Sequence, residues 1–205
     1  MSLTVEEVHT LKKAAAVEGV LPVFHERWSA RSYSEREVSQ AALKQVFEAA
    51  RWAASSNNEQ PWRFVTGRKG DRTWEKIFAS LMGFNEKWAR SAPVLILGVA
   101  STRFSRNGME NGYALYDLGA ASSYLTLQAA ALGLTTHQMA GFDHEALREA
   151  LEIPAEYALG TVIALGYQGE PAALNDATLI ERETTPRTRK PLGEIVFSEW
   201  DVPFA

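Results

Sequence analysis

Residues 92–100 read APVLILGVA, nine consecutive residues with no charge and no hydrogen-bonding side chain. Apolar and polar positions do not alternate along the run, as they do in a strand with one wet face. Such continuity suits a strand covered on both faces, so the rest of the chain must supply cover from two sides. The run is too short to span a bilayer.

Several stretches can provide that cover. Residues 4–16 carry Val5, Val8 and Leu11 three apart and read as a short amphipathic helix. Ser39 is a suitable N-cap for a helix with Leu43, Val46, Phe47, Ala50 and Ala54 on one face. Trp74, Ile77, Phe78, Leu81 and Met82 give a further helix that stops at Gly83. The strongest helical pattern spans about 113–132, where Leu115, Leu118, Ser122, Leu125, Ala129 and Leu132 alternate spacings of three and four. Its other faces hold Ala114, Ala120, Ala121, Ala130 and Ala131, so burial on more than one side, at a subunit contact for example, is expected.

Strands are expected at 63–66, within LTTHQMAG (134–141) and within TVIALGYQ (161–168). Asp143 is placed to cap the helix HEALREALEI, which halts before Pro154. STRFSRNGMENG (101–112) reads as a mobile loop or lid. From Gly169 onward four prolines and weak periodicity predict an extended tail lying across a surface, either its own or a partner's. The 205 residues then form one domain, with a core of about 21–197, an N-terminal helical extension over 1–20 and the tail over about 169–205.

Composition removes whole classes of function. A net charge of −4 offers no basic field to a nucleic-acid backbone. The absence of cysteine excludes disulfides, thiolate metal sites and a cysteine nucleophile. The N-terminus has two glutamates where a signal peptide is basic, and the expectation is a soluble protein of the cytoplasm. There is no G-x-G-x-x-G, no P-loop and no G-x-S-x-G. His9, His25, His137 and His144 show no metal-ligand spacing. His137, in an expected strand, reads either as a structural or wall residue or as a proton carrier.

Three polar clusters remain. RWSAR puts Arg27, Ser29 and Arg31 on alternate positions, so an extended segment turns all three to one side. Guanidinium forks and a hydroxyl on one face suit a phosphate. PRTRKP repeats the spacing with Arg187 and Arg189. Both clusters also read as solvated surface charge. The third, SSNNEQPW (55–62), crowds neutral donors and acceptors between a helix and a strand, and is explicable locally as turn chemistry.

In order and spacing these segments resemble the FMN-dependent nitroreductase family, over about residues 21–197. The resemblance rests on R-x-S-x-R at 27–31, ASSNNEQPW, Asn85 ahead of the buried strand, DLGAASSYLTLQAAALGL (117–134), MAGF (139–142), the I-P and I-A-L-G-Y segments, and R-x-R-K-P-L at 187–192. It implies a central, mostly antiparallel sheet flanked by helices, in an intertwined homodimer with an extended C-terminal tail. It implies one non-covalent FMN, with NAD(P)H as a transient co-substrate. Arg27 and Ser29 would hold the phosphate, with Arg187 and Arg189 completing its cage, and Arg31 belongs to the same cofactor set. Trp28 would contribute backbone and wall contacts. Ser55, Ser56 and Asn58 would come from the other subunit, while Gln60, Pro61 and Trp62 lock their loop. Asn85 would bond the pyrimidine edge, and Met139, Ala140 and Gly141 would line the ring, with a backbone N–H near flavin N5.

Ala54 and Ala140 depart from the family pattern, which has proline at the first position and an acidic residue at the second in several members. The backbone role at 140 is unaffected. The activity implied is ping-pong reduction of nitroaromatics, quinones or similar flat acceptors, with no catalytic side chain because flavin N5 carries the chemistry. Candidate walls for the acceptor are Trp88, Phe104, Met109, Tyr113 and His137, each of which also reads as core packing. A non-catalytic FMN-binding or redox-sensing module stays open, as do dehalogenation, ring oxidation and flavin destruction on the same scaffold.

Overall fold

The structure is a computed structural model and describes residues 3–204. At its centre lie four antiparallel strands: β1 (Trp62–Arg68), β2 (Val94–Ser101), β3 (Thr135–Met139) and β4 (Tyr157–Gly166). Their order is β1-β2-β4-β3. APVLILGVA supplies β2, an inner strand, and its side chains divide between two cores. Leu95, Leu97 and Val99 join Trp74, Ile77, Trp88 and Leu147 on one side. Val94, Ile96 and Ala100 join Leu43, Val46, Leu118 and Leu125 on the other. Each such aliphatic side chain contributes about 1.5–3 kcal/mol by leaving water, which is why the run has no polar position.

Helices α3 (Gln40–Arg51) and α6 (Ala114–Ala131) cover the second face. Helices α4 (Arg72–Ala79), α5 (Phe84–Ala89) and α7 (His144–Leu151) cover the first. Side-chain caps fix their starts. Ser39 accepts from the Ala42 N–H, Asp71 from Trp74 and Asp143 from Ala146. α6 lies very close to the sheet because Leu118 sits over Gly98 and Gly160. A Cβ on Gly160 would fall 2.6 Å from the Leu118 Cδ2.

The remaining elements are α1 (Val5–Lys12), α2 (Pro22–Glu26), α8 (Ala177–Thr184) and a C-terminal hairpin of β5 (Phe197–Glu199) and β6 (Val202–Pro203). Among the described residues no helix is long and apolar enough to cross a membrane.

Three expectations change. The helix expected from Trp74 to Met82 ends at Ala79, and a separate α5 begins after Gly83, whose φ of 56° breaks the chain direction. The tail is not continuously extended, because residues 177–184 form α8. Of α8's residues only Leu179 and Glu183 are buried, and one of those is charged, so no apolar stripe announced the helix. The 101–113 segment is organised by backbone hydrogen bonds. Phe104 N–H donates to Met109 C=O, Gly108 N–H to Phe104 C=O and Asn111 N–H to Thr102 C=O, making a tight excursion rather than an open loop.

Candidate functional site

The RWSAR segment is extended, and its burial alternates as the spacing predicts. Trp28, Ala30 and Ser32 are buried, while Arg27, Ser29 and Arg31 lie half-buried on the opposite side. Trp28 packs with Val8 and Ala30, and Lys12 stands over its ring at 4.7 Å. Trp28 is thus a core residue whose side chain faces away from the arginines.

None of the ion pairs among the described residues involves Arg27, Arg31, Arg187 or Arg189. The carboxylate whose charge acts on Arg31, that of Glu183, meets the backbone of Arg31 instead. Burial lowers the pKa of Arg27, and the neighbouring Arg189 lowers it further. Arg187 is lowered by burial, then by Arg189 and Arg27. Three guanidinium groups therefore repel one another in a partly desolvated place, an arrangement that a dianion would stabilise. The Nε atoms of Arg31 and Arg187 are buried with no hydrogen-bond partner. The terminal nitrogens of Arg187 each donate one hydrogen bond, to the carbonyls of Arg27 and His25, which leaves its Nε–H and a second N–H on each terminal nitrogen as further donors. A cavity of about 210 Å³ opens beside Arg27 and Trp28, smaller than the roughly 300–1,000 Å³ of most small-molecule sites.

Behind the arginines, Glu183 of α8 accepts from the N–H of Arg31 and of Ser32. His137 of β3 points its Nδ1 at the Ala30 carbonyl, 3.1 Å away, which makes Nδ1 the protonated nitrogen. Burial, then the charge of Arg31, lowers the His137 pKa to about 4, so the ring is neutral at pH 7. It packs against Trp88 at 4.5 Å, and Trp88 in turn stacks on Tyr33. Trp88 is 1% exposed, and so it is a core residue and not a wall for an acceptor. His137, beside it, is half-buried.

Two residues beyond β3, the expected ring-side turn is stitched to the α4–α5 turn. Asn85 Nδ2 donates to the Gly141 carbonyl at 3.1 Å, and Met82 N–H donates to the same oxygen at 3.2 Å. A Cβ on Gly141 would lie 2.9 Å from Asn85 Nδ2, so glycine is what lets the two approach. Ala140 and Gly141 are exposed and Met139 is buried beneath them.

Ser55, Ser56 and Asn58 stand apart from this group. Their loop bonds to itself and to α6: Gln60 N–H donates to Ser55 Oγ, Gln60 Nε2 to the Asn58 carbonyl, and Ser56 N–H to Asp117. Asn57, Asn58 and Gln60 all have left-handed φ, between 52° and 56°. Glu59 reaches outward to the N–H and hydroxyl of Ser105, tying the loop to the 101–113 excursion. On that excursion Phe104 is half-buried, and Met109 and Tyr113 are exposed. Glu183 and Lys12 carry no site signal in the sequence beyond a charge at an inward helical position, whereas Asp117 opens the DLGAASSYLTLQAAALGL segment.

The arrangement has close relatives. The sequence profile of the nitroreductase family matches residues 25–86 and 66–167. A solved structure described as an oxidoreductase containing FMN is 31% identical, with 90% of this chain and 94% of that one aligned at a TM-score of 0.82. An FMN-dependent nitroreductase from Clostridium difficile R20291 is 25% identical over 71% of this chain and 85% of its own, with a TM-score of 0.61. An NADH dehydrogenase of Thermus thermophilus is 28% identical over 88% of this chain and 98% of its own. The antiparallel sheet, the R-x-S-x-R face and the match running through both have a single source: the chain belongs to the nitroreductase family.

Proposed function

We propose that the protein is an FMN-dependent oxidoreductase that takes reducing equivalents from NAD(P)H and passes them, by a ping-pong mechanism, to a flat acceptor such as a nitroaromatic or a quinone. The observation that carries this reading is the set of arginines at 27, 31, 187 and 189, the first three half-buried and the last exposed, none of which makes an ion pair among the described residues. The residues fit FMN, whose terminal phosphate is a dianion. Arg27, Ser29 and Arg189 would hold that phosphate, and the unpartnered Nε of Arg31 and of Arg187 are further donors for the same molecule. Each hydrogen bond between a guanidinium and phosphate contributes about 1.5–3 kcal/mol. Four such bonds retain a cofactor without a covalent link.

When bound, the isoalloxazine supplies the hydride and electron chemistry. The protein's part is orientation. Asn85 and the Ala140–Gly141 backbone are the ring-side groups, held to one another through the Gly141 carbonyl. No side chain on this face is needed as an acid or base. His137 is unsuited to that work, since its Nδ1 is committed to Ala30 and its low pKa keeps it uncharged.

The site is read as completed by a second copy of the chain. Tyr116 is 78% exposed and Trp52 70%, and Tyr113 and Leu115 are exposed beside them. Exposed apolar side chains of this size suit an interaction face. Ser56 is bonded to Asp117 of α6, so the Ser55–Asn58 loop is anchored to the helix that carries Tyr116 and Leu115. A partner covering the patch would receive Ser55, Ser56 and Asn58 at its own flavin.

Anaerobic mixing of the FMN-loaded protein with NADH or NADPH tests the activity. The expected result is bleaching of the flavin absorbance, with recovery on addition of a quinone or a nitroaromatic. Full retention of the oxidised spectrum with both nucleotides would overturn the oxidoreductase reading.

A further inference from the structure

Helix α8 reaches both halves of the candidate site from behind. Its N-cap Asp176 meets Lys87 of α5 at 3.2 Å, and Arg182 lies over the Phe84 ring at 4.4 Å, next to Asn85. Glu183 turns the other way, toward the RWSAR backbone. Just past the helix end, Arg187 takes the carbonyls of His25 and Arg27. On the far side His137 holds the Ala30 carbonyl. The carbonyls of 25, 27 and 30 and the N–H groups of 31 and 32 are therefore all engaged, by Arg187 and Glu183 on one side and by His137 on the other.

We propose that Glu183 is the positioning residue for the Arg27–Ser29–Arg31 array, setting the aim of its phosphate-binding side chains through the backbone without touching the cofactor. This rests on the FMN reading above.

Three observations carry it. Glu183 is completely buried, and an apolar side chain of similar volume would fill the position at lower cost. What an apolar residue could not do is accept hydrogen bonds. Glu183 takes the Arg31 N–H on both oxygens at 3.0 Å and the Ser32 N–H on Oε1 at 3.1 Å. Acceptance by both oxygens suits a carboxylate rather than a carboxylic acid. Burial raises the Glu183 pKa, while the N–H groups of Ser32 and Arg31 and then the charges of Arg31 and Lys12 act against that rise. Lys12, itself buried, donates to the carbonyls of Arg182 and Thr185 and is held against the Trp28 ring.

The consequence follows from strand geometry. Side chains alternate along an extended segment, so fixing its backbone presents residues 27, 29 and 31 together on one face. Releasing the N–H groups of 31 and 32 in a buried place forces the segment to shift until they find new acceptors. Guanidinium forks recognise phosphate by direction, and a displacement of this kind misaims them.

The test compares apo protein binding to FMN and to riboflavin, which shares the ring and ribityl chain but lacks the phosphate, by quenching of flavin fluorescence. For Glu183→Gln the expected result is about a tenfold loss of FMN affinity, the size of one charge-assisted hydrogen bond, with riboflavin affinity unchanged. Glu183→Asp keeps the carboxylate and its attraction to Lys12. It is expected to fold like the wild type and to show a smaller loss, again confined to FMN. If Glu183→Gln does not fold, the Asp variant decides the matter. FMN affinity equal to wild type in the folded variant, or equal losses for FMN and riboflavin, would overturn the positioning role. Wild-type protein that binds FMN no better than riboflavin would instead remove the phosphate reading on which the role depends.

Discussion

The Ser56 N–H donates to Asp117 Oδ2 at 3.0 Å, joining the strained polar loop to the longest helix of the chain. Asp117 is 3% exposed and Ser56 half-buried, so this bond is partly shielded from water. A hydrogen bond to a charged group contributes about 1.5–3 kcal/mol. Asp117→Ala is expected to destabilise the fold by roughly that amount, and Asp117→Asn, which keeps an oxygen acceptor, by less. Urea unfolding of the two variants measures the difference. Equal midpoints for wild type and the Ala variant would mean that the loop does not depend on Asp117.

The same loop holds Asn57, Asn58 and Gln60 in left-handed conformations at φ 53°, 56° and 52°. Asparagine tolerates this region better than residues whose Cβ crowds the backbone without a local hydrogen bond, and Asn57 has one, from its Nδ2 to Ser56 Oγ. Asn57→Ala is expected to cost about 1–2 kcal/mol, whereas Asn57→Gly, free of the steric penalty, stays within roughly half a kcal/mol. Thermal melts of the pair separate backbone strain from lost side-chain contacts. An Ala variant as stable as the Gly variant would rule out a left-handed requirement at 57.

Periodicity made the two-sided sheet readable, because a strand that meets helices on both faces has no room for a polar residue. It also placed α3, α6 and α7, and for α3 and α7 the caps too, where apolar spacing coincides with Ser39 and Asp143. Periodicity could not reveal α8, whose two inward residues are a leucine and a glutamate. The alternation of Arg27, Ser29 and Arg31 was readable for the same reason as β2, since an extended chain sorts its side chains by parity. What lies behind them was not. Glu183 is over 150 positions away in sequence from the N–H groups that it holds, and nothing local distinguishes a buried carboxylate from an exposed one. Trp88 shows the converse limit, because an aromatic residue beside a candidate site has the same local signature whether it walls the site or fills the core.

His137 predicts an acid-labile fold. Its pKa is lowered to about 4 in the folded protein, from an ordinary value near 6.5, by burial and then by Arg31. As pH falls the unfolded chain binds the proton first. Stability is therefore full above about 6.5 and is lost as pH drops toward 4, by up to about 3 kcal/mol from this residue. His137→Gln keeps a donor for the Ala30 carbonyl and removes the titration. Its unfolding free energy is expected to vary less across that pH window than the wild type's. Parallel curves for the two proteins would show that His137 does not set the acid limit.

Arg27 and Arg189 separate binding from stability. Each lies in a cluster whose guanidinium groups repel one another, and neither makes an ion pair among the described residues. Removing either charge therefore relieves repulsion and leaves no carboxylate stranded. Arg27→Ala and Arg189→Ala are expected to unfold within about 0.5 kcal/mol of the wild type, as surface changes do. Loss of one guanidinium–phosphate bond corresponds to a fall in FMN affinity of roughly 10- to 150-fold. Flavin titration of the apo proteins, beside their urea curves, measures both quantities. Wild-type FMN affinity in both variants would exclude these arginines from phosphate binding, and a stability loss as large as the affinity loss would assign them to the fold.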